Sequence, residues 1–194
     1  MFIKNWKREI LTIPNLLSLF RLVLLPVYAE IYLNAVEEYE FLLAGGIMAL
    51  SCATDLIDGK IARRFNQITN LGKILDPLAD KITQFTLTLC LSLKYPVLQP
   101  VLALFVVKEV FQLVVGLFFL LKGHMLPGAL MAGKVCTTIL FVSLIALVLM
   151  PNMNPYIVDA IALVDAIFLA ISFFSYVMAY FGKETKVQKL DAGE

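Results

Sequence analysis

The sequence contains few charged residues, and this shortage decides the class of protein. Of its 194 residues only 16% are charged and 60% are hydrophobic, and the mean hydropathy is +0.86. A soluble domain carries about 25% charged and about 45–50% apolar residues. The composition therefore excludes an ordinary soluble domain. It indicates an integral membrane protein, and the length suits one helical bundle rather than two domains.

Cysteine and histidine are also scarce. The three cysteines, Cys52, Cys90 and Cys136, lie in apolar stretches and show no C-x-x-C spacing, so we interpret them as small core residues. We interpret the one histidine, His124, as a surface residue rather than a catalyst. The formal net charge is only +1. We expect membrane lipids as partners, and no nucleic acid.

Apolar runs long enough to cross a bilayer are abundant. A spanning helix needs about 20 mostly apolar residues, and six segments qualify. The predicted spans are residues 13–33, 40–57, 75–93, 97–121, 129–150 and 156–181. The predicted fold is an all-α membrane protein with six transmembrane helices in residues 13–182. Residues 1–12, in which basic residues alternate with Phe, Ile and Trp, are predicted to form an amphipathic interfacial helix. Residues 183–194 are predicted to be a polar cytoplasmic tail.

Positive charges are distributed unevenly between the two predicted sides of the membrane. The side that holds both termini also holds almost all loop cations, whereas the opposite loops contain only Lys94 beside three glutamates. The cations of the first side are Lys4, Lys7, Arg8, Lys60, Arg63, Arg64, Lys73, Lys122, Lys183, Lys186 and Lys189. Because cytoplasmic loops are rich in Lys and Arg, we expect the termini to face the cytoplasm.

Four aspartates stand out against this apolar background, and they are Asp55, Asp58, Asp76 and Asp80. They follow the pattern D-x2-D-G-x2-A-R-x8-G-x3-D-x3-D, whose other members are Gly59, Ala62, Arg63 and Gly72. Residues three or four apart share a helix face, so the two pairs of aspartates are expected to meet across a polar cleft at the cytoplasmic side. Ionised carboxylates are costly at a membrane. Four of them together therefore indicate bound cations.

Oxygen ligands without nearby His or Cys favour Mg²⁺, Mn²⁺ or Ca²⁺ over zinc. Two such ions about 3.5–4 Å apart can clamp both oxygens of an in-line phosphoryl displacement. Asp80, the last aspartate, could take the proton from an attacking hydroxyl. Arg63 suits phosphate oxygens, and the small Gly59 and Ala62 leave room for a ligand. We regard four solvated surface charges as a poor explanation of this spacing.

The pattern resembles the signature of the CDP-alcohol phosphatidyltransferase family, with no departure. Residues 13–18 and 75–81 also resemble its phosphatidylglycerophosphate-forming bacterial branch and its cardiolipin-forming relatives. The resemblance implies transfer of a phosphatidyl group from CDP-diacylglycerol to an alcohol, with release of CMP, by a homodimer in the bacterial cytoplasmic (inner) membrane. It implies that Asp55, Asp58, Asp76 and Asp80 hold two divalent cations, with Asp80 also the base. The residues implied to shape the CDP-lipid site are Asp55, Gly59, Ala62, Arg63 and Gly72.

Two acceptors stay open, glycerol 3-phosphate, which we favour, and phosphatidylglycerol. The candidate cations for an anionic acceptor are Arg21, Lys81, Lys108 and Lys134. Lys134 lies in a Gly-Lys-x-x-Thr stretch similar to the glycerophosphate-using branch, whereas Lys108 and Gly116 stand where that branch carries arginines. The competing interpretations are an internal salt bridge for Lys108 and snorkelling to the interface for Arg21 and Lys134.

A cation or proton transporter is the alternative from a different class, since intramembrane carboxylates also line ion paths. The four aspartates all cluster at one membrane face and no acidic chain continues outward, which argues against transport. A catalytically silent scaffold would not explain the intact pattern. We interpret Asp159 and Asp165, which lie outside the pattern, as hydrogen-bonded within the bundle or at a dimer seam.

Overall fold

The computed structural model describes residues 12–64, 72–122, 124–125, 130–182 and 188–189. Within these residues the chain forms six α-helices: α1 Ile13–Asn34, α2 Glu38–Arg64, α3 Gly72–Lys94, α4 Gln99–Leu121, α5 Met131–Leu149 and α6 Pro155–Phe181. A short 3-10 helix at Pro96–Leu98 precedes α4. Two-residue strands, β1 at His124–Met125 and β2 at Gln188–Lys189, pair antiparallel. That pairing involves part of the segment predicted as a polar tail.

Each predicted span corresponds to one of these helices, which confirms the all-helical prediction. Helix α6 begins at Pro155, where a missing N–H costs no intrahelical bond. The side chain of Asn154 caps it by accepting a hydrogen bond from the Tyr156 backbone N–H at 3.0 Å. The largest difference in length lies at the end of α2, where the predicted apolar span stops at residue 57 and the helix continues to Arg64.

Among the residues that the structure describes, four stretches are long and apolar enough to cross a bilayer: Asn15–Asn34, Pro96–Leu121, Met131–Leu149 and Pro155–Phe181. Helices α2 and α3 have 27 and 23 residues. At a rise of about 1.5 Å per residue both are long enough for a hydrocarbon core about 30 Å thick. However, both helices carry charged residues of the aspartate pattern. That α2 and α3 span the membrane stays a prediction. The predicted interfacial helix lies almost wholly outside the described residues.

The chain divides into two compact units. The first unit comprises residues 1–94 and 145–151, and the second comprises residues 95–144 and 152–194. In the first unit α1 packs against both α2 and α3. Tyr28 stacks on Tyr32 with ring centroids 5.5 Å apart, and Tyr32 meets Phe41 of α2 edge-on at 5.6 Å. These aromatic contacts fix the pairing of the first two helices.

In the second unit α4 packs against α6, and aromatic rings fill the contact. Phe111 meets Phe173 with ring centroids 5.0 Å apart, and Phe119 meets Tyr180 at 5.2 Å. A glycine also lets an aromatic side chain approach a helix backbone closely. A Cβ added at Gly133 of α5 would lie 2.7 Å from the hydroxyl of Tyr176, so only glycine fits there without movement of the ring.

Candidate active site

The beginning of α1 carries a buried polar face. Asn15, Ser18 and Arg21 are 1%, 0% and 2% exposed. They follow one another at intervals of three residues, so they lie on one side of the helix. Further along the same helix the buried residues Leu25 and Tyr28 are large. A buried polar group costs free energy unless it is hydrogen-bonded, and this stripe therefore indicates a site at the start of α1.

Helix α3 supplies partners for this stripe. The hydroxyl of Ser18 donates a hydrogen bond to Oδ1 of Asp76 at 2.6 Å. Nη1 of Arg21 donates to Oδ1 of Asp80 at 2.6 Å. The two contacts match because a step of three residues on α1 and a step of four on α3 each advance about one helical turn. The two carboxylates lie one turn apart on α3, and each of them is contacted by one residue of α1.

The ion pair between Arg21 and Asp80 is asymmetric in its exposure. The Arg21 side chain is 3% exposed and that of Asp80 is 51% exposed. The guanidinium is therefore anchored inside the unit, and the carboxylate that it holds is accessible from outside. Such a carboxylate has a fixed position and can still be reached by a substrate, which are the two requirements for a general base.

The other half of the aspartate pattern lies on α2. Because α2 continues to Arg64, Asp55, Asp58 and Arg63 share one unbroken helix. Their side chains, and those of Gly59, Ala62 and the connection to α3, fall outside the side chains that the structure describes. The predicted meeting of the two carboxylate pairs therefore stays a prediction. Gly72 is the first residue of α3 and is buried.

The described side chains include those of only two of the four predicted metal ligands, Asp76 and Asp80. Accordingly, no group of three or more His, Cys, Asp or Glu that could hold a metal is found among them. The two that are described fit a divalent cation, because both offer carboxylate oxygens of the kind that Mg²⁺ and Mn²⁺ prefer. Ser18 gives Asp76 a hydrogen bond but no charge.

The four cations predicted to contact an acceptor have different surroundings. Arg21 holds Asp80, as described above. Lys108 is buried, and its Nζ lies 2.5 Å from Oε1 of Glu109, which is the internal salt bridge given as the competing interpretation. Lys81 is half-buried and follows Asp80 on α3, and Lys134 is exposed in the first turn of α5. None of these observations tests acceptor binding.

Ser18 and Asn15 were not among the predicted site residues. Their signal was available, since polar residues at intervals of three within an apolar helix mark one polar face. The two aspartates outside the pattern were predicted to be hydrogen-bonded, either within the bundle or at a dimer seam. Asp165 is, because Ser143 Oγ lies 2.8 and 2.7 Å from its two carboxylate oxygens. Asp159 is exposed and lines a shallow pocket.

The sequence is similar to those of known proteins, and to one of them over most of its length. Residues 11–178 match the sequence model of the CDP-alcohol phosphatidyltransferase family. The chain is similar to a CDP-diacylglycerol-glycerol-3-phosphate 3-phosphatidyltransferase of Aquifex aeolicus, with 32% identity over 177 residues that cover 88% of this chain and 97% of that protein.

Two other relatives match over shorter stretches. An Escherichia coli protein with the same name is 43% identical over 70 residues, which cover 36% of this chain and 38% of that protein. A cardiolipin synthase (CMP-forming) of Rattus norvegicus is 43% identical over 110 residues, covering 56% of this chain and 34% of that protein. This chain therefore spans almost all of the Aquifex aeolicus protein and about a third of the other two.

Proposed function

The chain belongs to the CDP-alcohol phosphatidyltransferase family, and on that premise we propose that it transfers a phosphatidyl group from CDP-diacylglycerol to an alcohol and releases CMP. The observation that carries the proposal is the contact between α1 and α3. Through it Ser18 contacts Asp76 and Arg21 contacts Asp80. These two carboxylates of the family signature lie one helical turn apart on α3. A site of this kind suits transfer chemistry better than a transport path.

Glycerol 3-phosphate is the acceptor that we propose, giving phosphatidylglycerophosphate. The relative that matches this chain over almost its whole length carries glycerol-3-phosphate in its name. Phosphatidylglycerol, giving cardiolipin, is the second candidate, because cardiolipin synthases are also similar to part of the chain. Both acceptors present a hydroxyl and a phosphate, so one catalytic group can serve either reaction.

Asp80 is the proposed general base. The acceptor hydroxyl gives its proton to the carboxylate of Asp80, and the hydroxyl oxygen forms a new bond to the phosphorus that bears the diacylglycerol. The bond from that phosphorus to the CMP oxygen breaks, and CMP leaves with the electron pair. Asp80 suits this role because Arg21 fixes one of its oxygens and half of its side chain is exposed.

Two divalent cations, Mg²⁺ or Mn²⁺, are proposed to bind at the aspartates Asp55, Asp58, Asp76 and Asp80. When bound, they would neutralise phosphate charge and polarise the reacting phosphoryl group. Ser18 supports Asp76 in this set by holding one of its oxygens. The proposed contacts with the CDP-lipid are Asp55, Gly59, Ala62, Arg63 and Gly72, on the strength of the family resemblance.

Lys81 and Lys134 are the cations that we propose for the acceptor phosphate. Lys81 follows the base directly in α3 and is half-buried, and Lys134 lies in the Gly-Lys-x-x-Thr stretch. Arg21 and Lys108 each hold a carboxylate, and their contact with the acceptor stays a prediction. We also propose a homodimer in the bacterial inner membrane, with the termini and the site facing the cytoplasm.

The test is an assay of CMP release. Purified protein in detergent is incubated with CDP-diacylglycerol and Mn²⁺ or Mg²⁺, and glycerol 3-phosphate, phosphatidylglycerol, serine and inositol phosphate are offered separately. We expect release with glycerol 3-phosphate, and release at least about 100-fold slower from Asp80→Asn protein prepared in parallel. Release with phosphatidylglycerol alone would select the second candidate. A folded protein that releases no CMP with any of the four acceptors would refute the proposal.

A further inference from the structure

We infer that Ser18 and Arg21 are positioning residues with separate tasks: Ser18 sets the affinity for the divalent cation through Asp76, and Arg21 holds Asp80 in place for proton transfer. This inference rests on the proposed function and deepens it. It gives a task to Ser18, which the sequence pattern left without one. It also gives Arg21 a task other than contact with the acceptor.

The argument for Ser18 begins with its burial. Its side chain is fully buried, and its hydroxyl lies 2.6 Å from Oδ1 of Asp76. A carboxylate that accepts such a bond is restricted in rotation, so its second oxygen keeps one direction. Partners that orient a metal ligand in this way are typically worth about 10–100-fold in metal affinity. Because a hydroxyl carries no charge, Ser18 orients Asp76 without competing with the cation.

The argument for Arg21 rests on the contrast in exposure across its ion pair. The guanidinium is 3% exposed and the Asp80 side chain is 51% exposed. The buried partner is held by the packing of α1 against α3. The accessible partner is consequently fixed by a group that substrate binding does not have to order. Catalysis is sensitive to such positioning, since a displacement of about 1 Å can cost about 100-fold in rate.

Acceptor binding and positioning predict different kinetics for Arg21. If Arg21 contacted the acceptor phosphate, its replacement would raise the KM for glycerol 3-phosphate. If Arg21 positions the base, its replacement lowers kcat and leaves that KM nearly unchanged, because an interaction used only in the transition state is lost. Lys81 lies on the same helix as Asp80, and we propose that it contacts the acceptor phosphate. Its replacement should therefore raise the KM for glycerol 3-phosphate.

The experiment for Ser18 measures Mn²⁺ binding without turnover. Free Mn²⁺ is titrated against purified protein in detergent and followed by electron paramagnetic resonance. We expect Ser18→Ala to raise the Kd about 10–100-fold and Ser18→Thr, which keeps a hydroxyl, to recover most of the affinity. The matched control is Ser92→Ala, because Ser92 is equally buried but donates to the backbone carbonyl of Leu89. A Kd unchanged in Ser18→Ala, or raised equally in Ser92→Ala, would overturn the assignment.

The experiment for Arg21 compares kcat and KM at saturating Mn²⁺. We expect Arg21→Lys to lower kcat roughly 10–100-fold with the KM for glycerol 3-phosphate within about twofold, whereas Lys81→Ala raises that KM. The double variant that combines Arg21→Lys with Asp80→Asn should be no slower than Asp80→Asn alone, because Arg21 and Asp80 act in one step. A raised KM in Arg21→Lys would return Arg21 to acceptor binding.

The two levels of failure are distinguishable. A wild-type protein that releases no CMP ends the proposed function. A wild-type protein that is active, together with Arg21→Lys kinetics changed only in KM, ends this inference alone. Thermal unfolding of every variant in detergent checks that each of them is folded. If Arg21→Lys does not fold, Arg21→Gln, which is shorter and uncharged, replaces it and is judged by the same comparison of kcat with KM.

Discussion

Carboxylates lie in apolar helices in both units of the molecule, but their surroundings differ. In the second unit Asp165 is 1% exposed, and one hydroxyl, that of Ser143, approaches both of its oxygens. Glu109 is paired with Lys108, the residue directly before it. In the first unit Asp80 is also held by a residue of a neighbouring helix, Arg21, but its side chain remains 51% exposed.

This difference separates carboxylates that serve packing from carboxylates that serve chemistry. A buried acid satisfied by nearby groups is shielded from any substrate, and its hydrogen bonds contribute mainly to stability. An acid that a buried partner holds in place while part of its side chain stays exposed is oriented for a reaction. The comparison thus supports the proposed catalytic role of Asp76 and Asp80 and indicates a structural role for Asp165.

The largest expected effect is the removal of divalent cations. We expect EDTA to reduce CMP release to background, because the proposed site cannot neutralise the phosphates without its cations. Adding Mn²⁺ in excess of the chelator should restore the full rate, as measured by CMP released per minute. Full activity in metal-free buffer would contradict a role of Asp76 and Asp80 in cation binding, and with it the proposed difference between these acids and Asp165.

The next effect is the loss of the base. We expect Asp80→Asn to lower kcat about 10²–10⁴-fold, which is the usual contribution of a general base. The control, Asp165→Asn, keeps the shape of the side chain and an oxygen that accepts from Ser143, so CMP release should stay within about twofold of wild type. A control variant that loses as much activity as Asp80→Asn would show that burial does not distinguish the acids.

The smallest effect is on stability and concerns the second unit. We expect Gly133→Ala to lower the free energy of unfolding by about 1–3 kcal/mol, the usual cost of overpacking, because the new Cβ would lie 2.7 Å from the Tyr176 hydroxyl. Unfolding in detergent by circular dichroism measures it. The control is Gly46→Ala, whose Cβ would meet nothing within 4 Å.

A second variant makes the prediction for Gly133 specific. Tyr176→Phe removes the oxygen that the added methyl group would meet first. We therefore expect Gly133→Ala to cost less in the Tyr176→Phe background than in the wild type. Equal losses in both backgrounds would mean that the contact with Tyr176 is not the cause.

The sequence by itself determined the class of protein and the helices. Apolar runs of about 20 residues have few alternatives to a membrane helix, and all six predicted segments are helical. The apolar span predicted at residues 40–57 is shorter than α2, because hydropathy falls at Asp55 and Asp58 whereas the backbone continues as a helix to Arg64. A polar residue ends an apolar run without ending a helix.

The tertiary structure alone decided which residues meet the carboxylates. The sequence shows polar residues at intervals of three on α1 and aspartates four apart on α3, but spacing within a helix does not specify its neighbour. Packing of α1 against α3 pairs Ser18 with Asp76 and Arg21 with Asp80. The physical reason is that a helix fixes the directions of its own side chains, whereas the contact between two helices depends on how their surfaces fit together.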